Sequence, residues 1–378
     1  MSHRVSRIDL QETSNGTSRH LVVHKFGDPG ARPRVYVQAA MHADEAPAML
    51  VAHHLLRRLA AISGAIRGSV VVVPFANPIG LAQRTLALHA GRGDLGVGGN
   101  FNRRFADLRA PLSAAVAGSL TGDAAQDQAV VRTALREIVA ALPAPDELTQ
   151  LRRELLALAV EADIVLDLHT HYEGAVYLYT NATDPAWVEE LGALSGCRVV
   201  LVDRGSEPAP GGLSLDQACD LAWRGLAKQG VAHGCFTATM EYRGQADVAD
   251  PLAEADAEAL VQFMIRRGVI EGEPAPLPAS LCRPTPVEAV AHLTSPRPGV
   301  IVHHRHPGER VAAGDLVAEV VDPSAADPEA ARHDLVAPCD GVIFGRLISR
   351  IARPGLVLAS IATDDPATIT PFAGDPYP

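Results

Sequence analysis

Lysine is almost missing from this sequence of 378 residues: only Lys25 and Lys228 occur, and every other basic residue is arginine. Schiff-base chemistry and lysine-tethered prosthetic groups therefore have few places to occur. Cysteine is sparse too. Cys197, Cys219, Cys235, Cys282 and Cys339 are scattered without a CxxC pair, and an odd count suits no complete disulfide framework. A reducing compartment is expected. The N-terminal stretch MSHRVSRIDLQETSNG is polar and lacks an apolar signal core. No apolar run approaches the length of a membrane span. The chain therefore reads as cytoplasmic, with no membrane partner. Positive charge is in deficit: the formal net charge is −11, which excludes a phosphate backbone as an expected partner.

The apolar fraction of 47% leaves ample material for a core, and the length suggests roughly two domains. Strand-like apolar runs fall at residues 21–23, 35–40, 70–73, 164–171, 175–180, 198–202 and 235–240. The first reads as an edge strand. Helical periodicity occupies residues 46–59, 124–141, 146–161, 184–194, 213–229 and 251–267. This alternation over about the first 270 residues predicts an α/β sheet with helices on both faces.

The chain is organised around residues 35–50, VYVQAAMHADEAPAML. A buried strand runs into His42 and Glu45, and a helix follows with Asp44 as its cap and Pro47 in its first turn. A His and a Glu three apart at the carboxyl end of a strand can reach one point. They are two of the three protein ligands of a His₂Glu zinc site. The same spacing also describes a plain helix start with a surface His, and a third ligand must come from elsewhere. His169 is that candidate, because it lies where the strand of residues 164–171 becomes polar, the usual place for sites in α/β sheets. Asp167, two residues earlier, points to the same face and can hold a ligating His or simply be a satisfied core carboxylate. His171 is more simply structural than a substrate contact.

Residues 91–105, GRGDLGVGGNFNRRF, form a Gly-rich loop. It lacks the Gly-Lys-Ser/Thr ending of a P-loop and does not fit GxGxxG, which excludes a nucleotide site. Asn102 and Arg103 at its end can grip a carboxylate in two-point fashion, though a solvated loop end fits as well. Glu241 follows an apolar strand, where a carboxylate is costly to keep without a job or a partner.

Beyond residue 272 the composition changes. EPAPLPAS, residues 273–280, is a Pro/Ala linker. After it SPRPGVIV (295–302) matches APCDGVIF (337–344), and each is followed by a Val or Ile, a Gly and an apolar strand. This internal β repeat resembles the two halves of a biotinyl/lipoyl-type barrel-sandwich hybrid. Such carriers need a lysine, and none follows Lys228, so a structural or lid role remains.

Taken together, MHADEAP, NFNRRF, LDLHT and TMEYRG, in that order and followed by the β tail, resemble the motifs of the succinylglutamate desuccinylase/aspartoacylase family. That family is a branch of the zinc carboxypeptidase-like superfamily. The resemblance implies a mixed sheet with helices on both faces over residues 1–275, and a small all-β barrel-sandwich over 285–370 that flanks the active site. It implies one Zn²⁺ held by His42, Glu45 and His169, a substrate carboxylate held by Asn102 and Arg103, and Glu241 as the catalytic carboxylate. It further implies an Arg that polarises the scissile carbonyl, for which Arg84 is the nearest candidate, although its spacing from Asn77-Pro78 is short. Ala43 and the Tyr-Arg-Gly after Glu241 depart from the family's common pattern, so neither succinylglutamate nor acetylaspartate follows as substrate. The expected activity is hydrolysis of a small N-acyl amino acid or related amide. A zinc carboxypeptidase acting on short peptides and a metal-free binding protein are the rivals. Homo-oligomer formation is compatible with the sequence.

Overall fold

The computed structural model describes residues 3–181, 184–205, 211–363 and 365. In chain order it begins with β1 (Arg4–Asp9), β2 (His20–Gly27), β3 (Arg34–Ala39), α1 (Ala46–Ala61) and β4 (Ser69–Val73). Next come α2 (Pro78–Leu81), the two-residue strands β5 (Arg84–Thr85) and β6 (Leu88–His89), α3 (Arg109–Val116), α4 (Ala124–Ala140) and α5 (Glu147–Ala159). Then follow β7 (Ile164–His171), β8 (Glu173–Gly174), β9 (Val176–Asn181), α6 (Pro185–Leu194), β10 (Val199–Asp203), α7 (Leu215–Arg224), β11 (Phe236–Gly244) and α8 (Asp250–Arg266). The remainder is β12 (Pro284–Pro286), β13 (Val290–Thr294), β14 (Gly299–His303), β15 (Arg310–Val311), β16 (Leu316–Val321), β17 (Arg332–Val336), β18 (Gly341–Arg346), β19 (Ile351–Ala352) and β20 (Val357–Ala362). No helix among the described residues is long and apolar enough to cross a membrane.

The chain divides into two compact units. The first comprises residues 1–169, 205–239 and 248–276; the second comprises 170–204, 240–247 and 277–378. The α/β region expected over 1–275 is thus shared between them. Residues 364 and 366–370 of the β region expected over 285–370 lie outside the described residues.

In the first unit the strands neighbour one another in the order β1-β2-β4-β3-β7-β11. β3 is parallel to both β4 and β7, whereas β2 is antiparallel to β1 and to β4. This makes the sheet mixed. Tyr36 and Val165, opposite each other in β3 and β7, face a core shared with α3, α4, α5 and α7. None of the buried residues of α1 or α8 belongs to that core; these helices pack on each other. The helix starts follow local chemistry. Asp146 and Thr149 form a capping box at α5, Ser214 and Gln217 one at α7, and the Asn77 side chain accepts the Gly80 N–H at the start of α2.

Three expectations need correction. Residues 21–23 are not an edge strand: they lie inside β2, which is paired on both sides. The edge is β1, whose exposed and charged RVSRID carries no apolar run to mark it. α3 was not expected. β11 does not stop before Glu241 but continues through it to Gly244.

In the second unit β10 is parallel to β9 and to β12. The residues beyond 287 build two sheets, β13-β20-β18-β15 and β17-β16-β14-β19, with β8 also pairing β18. Ile301, Val320, Ile343 and Ile361 belong to the core they share. The internal repeat maps onto this arrangement, with β14-β15-β16 as one half and β18-β19-β20 as the other. The aligned glycines have one explanation. A Cβ on Gly299 would lie 2.5 Å from the Val321 carbonyl oxygen, and one on Gly341 would lie 2.4 Å from that of Ala362. Each begins a strand at the point where the end of its antiparallel partner comes too close for a side chain.

Candidate metal centre

β3 ends at Ala39, and Ala40 turns the chain with a left-handed φ of 63°. The turn that follows is clamped by the Gly-rich loop. Ala43 N–H donates to the Gly91 carbonyl at 2.9 Å, and a Cβ on Gly91 would sit 2.3 Å from the Asp44 nitrogen. Only glycine allows this approach, so one use of the glycines in this loop is to bring its backbone against the HADE turn. The expected cap is displaced by one residue. Glu45, not Asp44, occupies the N-cap position of α1, and its side chain makes no capping hydrogen bond.

The Glu45 carboxylate is turned inward instead. Its Oε1 lies 2.9 Å from His42 Nδ1 and its Oε2 lies 2.8 Å from His169 Nδ1. His169 arrives from the carboxyl part of β7, next to β3 in the sheet. All three side chains are buried, and one ligand atom of each lies within 4.8 Å of the others.

The outer ring nitrogens are held as well, which decides the tautomers. His42 Nε2 is 2.8 Å from Asn100 Oδ1, an oxygen that also accepts the Asn102 backbone N–H at 2.8 Å. His169 Nε2 is 3.1 Å from Asp167 Oδ2. The Asn102 amide Nδ2 also lies 3.1 Å from His169 Nε2, but the anionic Asp167 is the stronger partner and favours a proton there. With Nε2 protonated on both rings, each Nδ1 can turn a lone pair toward the centre. Asp167 is itself fixed from behind. Gln38 Nε2 donates to its Oδ1 at 2.9 Å, and Tyr36 O–H donates to Gln38 Oε1 at 2.8 Å. Tyr36, Gln38 and Asn100 were not singled out from the sequence. Alternation on β3 places Tyr36 and Gln38 on one face, but nothing in the pattern tells which carboxylate they serve.

Asn102 is spent inside this network. Its Nδ2 donates to Asp167 Oδ2 at 3.2 Å, and its Oδ1 accepts the Leu215 N–H at 3.3 Å. Arg103 is half-buried, and its guanidinium donates to the Asn102 carbonyl at 2.9 Å. Arg84 stands exposed on β5. The arginine brought to the centre is Arg92, which donates to Glu45 Oε1 at 3.1 Å. Glu241 is half-buried within β11, in the stretch that belongs to the second unit. His171 is also placed in that unit, with Nδ1 3.0 Å from the Tyr177 hydroxyl, and Tyr177 meets Phe344 edge-on at 4.8 Å.

The electrostatics call for a cation. Burial opposes ionisation of Glu45, yet His42 and His169 outweigh it and hold its carboxyl far below the usual range. Burial and the Arg92 charge depress His42 against the pull of Glu45. His169 goes the other way: Asp167 and Glu45 overcome its burial and raise it well above the usual imidazole value. Two buried carboxylates thus compete for positive charge that Arg92 alone cannot supply. A proton on His169 meets that need in the metal-free chain, and a divalent cation between the Nδ1 atoms and Glu45 would displace it. Two imidazoles and a carboxylate are a donor set that fits zinc.

Residues 31–117 match the family model of the succinylglutamate desuccinylase/aspartoacylase catalytic domain. No curated protein matches the chain. Among solved structures, a protein assigned to that family from Shewanella frigidimarina NCIMB 400 has a TM-score of 0.85 at 24% identity, covering 96% of this chain and 97% of that one. A succinylglutamate desuccinylase/aspartoacylase family protein from Shewanella amazonensis SB2B also gives 0.85 at 24%, covering 96% of this chain and 99% of that one. The product-bound ectoine utilization protein EutE (DoeB) from Ruegeria pomeroyi is more distant, at 0.65 and 15% identity over 95% of this chain and 94% of that one. These identities speak for the fold. Together with the match of residues 31–117, they show that the chain resembles the succinylglutamate desuccinylase/aspartoacylase family.

Proposed function

We propose that this protein is a zinc-dependent hydrolase that cleaves the amide bond of a small N-acyl amino acid or a related amide. The observation that carries the reading is the convergence of His42, Glu45 and His169, with both imidazoles held at Nε2 so that Nδ1 faces Glu45. Zinc held there would supply a Lewis acid that lowers the pKa of water from about 15.7 toward about 7. Glu241 accepts the proton of the attacking water and delivers it to the leaving amine. Arg103 binds the substrate carboxylate, which orients the amide. Asn102 keeps Asp167 in place, so its contribution to substrate binding passes through the Arg103 anchor. Arg92, rather than Arg84, is the arginine assigned to polarise the scissile carbonyl. The barrel-sandwich reading of the residues from 285 belongs to the same proposal, with the role of restricting the enzyme to small substrates.

The test is a hydrolysis screen of the zinc-loaded protein against N-acyl amino acids of varied acyl group and amine, with short peptides included. Release of free amino acid from the small amides, and none from peptides, is the expected result. Cleavage of peptides alone would identify a carboxypeptidase and remove the restricting role. No hydrolysis by protein that holds its metal would end the enzyme reading.

Metal binding is expected to depend on pH with a definite sign. Asp167 and Glu45 raise the pKa of His169 against its burial and so favour a proton there in the metal-free chain, whereas the ligand form is neutral imidazole. Affinity should therefore fall as the pH is lowered, and binding at pH 7 should release protons. Calorimetric titration with Zn²⁺ in two buffers of different ionisation heat measures the release directly. An identical heat in both buffers would count against the assignment of His169.

A further inference from the structure

A second site is suggested at the other end of the parallel strands. The HADE turn follows the carboxyl end of β3, whereas Arg34, at its amino end, lines a cleft of about 220 Å³. Arg4, Lys25, Val71, Leu158 and Glu161 also line it, all within the first unit. Arg4 and Lys25 are directly opposite each other across β1 and β2, and Lys25 is opposite Val71 of β4. Side chains alternate along a strand, so Lys25 shares a face with Val23, and Arg34 with Tyr36. Val23 and Tyr36 belong to the core that α5 helps to build. The cations therefore stand on the face that α5 covers.

The charges in this cleft do not balance. Its one carboxylate, Glu161, is already taken: Arg34 is paired with Oε2, and Arg136 lies 3.4 Å from Oε1. The side chains of Arg4 and Lys25 make no hydrogen bond or ion pair among the described residues. Like charges directly opposite in a sheet repel. The pairing is the more pointed in a chain of net charge −11 that has only two lysines. The last turn of α5 lines the cleft and its carbonyls attract cations, yet neither cation is bonded to them. Beside the two charges stand the half-buried Val71 and Leu158, partners of the core. A small anion between Arg4 and Lys25 would remove their repulsion, and a short hydrocarbon body would cover the two apolar side chains.

We propose that this cleft binds a small organic carboxylate, with its charge on Arg4 and Lys25 and its apolar part against Val71 and Leu158. The site is separate from the metal centre and independent of the reaction assigned to it.

The experiment is calorimetric titration of the metal-loaded full chain at low ionic strength, with butyrate as probe and sulfate as its inorganic counterpart. It is run on wild type, Arg4→Gln/Lys25→Gln and Arg103→Gln. Saturable butyrate binding that persists in Arg103→Gln and weakens at least about tenfold in the double variant is expected, with metal content unchanged. Should the double variant fail to fold, Lys25→Met keeps the apolar stem and is expected to show the same loss. No saturable binding to wild type overturns the proposal, as does binding lost in Arg103→Gln alone, which would place the anion elsewhere. Sulfate bound as tightly as butyrate removes the apolar contact and with it the assigned ligand class.

Discussion

Glu241→Gln is expected to retain its metal and to lose about 10²–10⁴-fold in turnover, the usual contribution of a general base. Glutamine keeps the shape of glutamate and can still accept a hydrogen bond, but it cannot take a proton. The position is suited to a clean test, because Glu241 lies inside β11, between the fully buried Met240 and Tyr242. A same-sized replacement leaves those neighbours in place and preserves the strand. Metal content by atomic absorption and turnover on whichever N-acyl amino acid the wild type hydrolyses are measured together. Near-normal turnover would mean that another group moves the proton. Loss of metal along with activity would mean that the carboxylate serves the centre's structure and would remove its assigned role.

His169→Ala is expected to do more than silence the enzyme. It deletes one of three donors, and metal affinity should fall by more than the roughly 10–100-fold typical of changes around the ligands. It also leaves Glu45 and Asp167, 1% and 0% exposed, without the ring that stands between them. Breaking a buried charged arrangement by removing one partner costs about 3–5 kcal/mol, so the midpoint of denaturant unfolding should drop visibly. Asn100→Ala, which removes the oxygen that holds the outer nitrogen of His42 and the Asn102 backbone N–H but leaves all three ligands in place, separates the two effects. It should weaken metal binding by about 10–100-fold and lower the unfolding midpoint less than His169→Ala does, since it leaves neutral N–H groups without their acceptor rather than two buried carboxylates without their partner. Equal metal affinity in wild type and His169→Ala would remove this residue from the centre.

Much of the centre could be read because its parts lie on strands with strong patterns. IVLDLHTH is buried at every position, so β7 and the placement of His169 and Asp167 on one face followed from alternation. The HADE turn was legible for the same reason, since β3 and α1 on either side have clear periods. The rest of the site comes from a loop. Arg92 and Asn100 sit in residues 91–105, where no period exists, and their reach is set by the close contact of Gly91 with the turn. Arg84 was favoured by its proximity in sequence to Asn77-Pro78, but proximity along the chain does not say which guanidinium folds back. Asp44 is a good cap by type, yet the helix begins one residue later because Glu45 is drawn to two imidazoles. The edge strand β1 was hidden by the charges that suit an edge to solvent.

The β repeat has a consequence for how the chain is made. β15 follows β14 in sequence but pairs with β18, and β19 follows β18 but pairs with β14. Each half thus lends a short strand to the other, as two subunits do in a strand-exchanged dimer, here joined in one polypeptide. Two copies of a single half could supply each other with the missing strand, whereas one copy could not. On the ribosome the first half must wait. Gly299 and Val300 remain an open edge until Ala352 and Ile351, their partners, have been synthesised about 50 residues later.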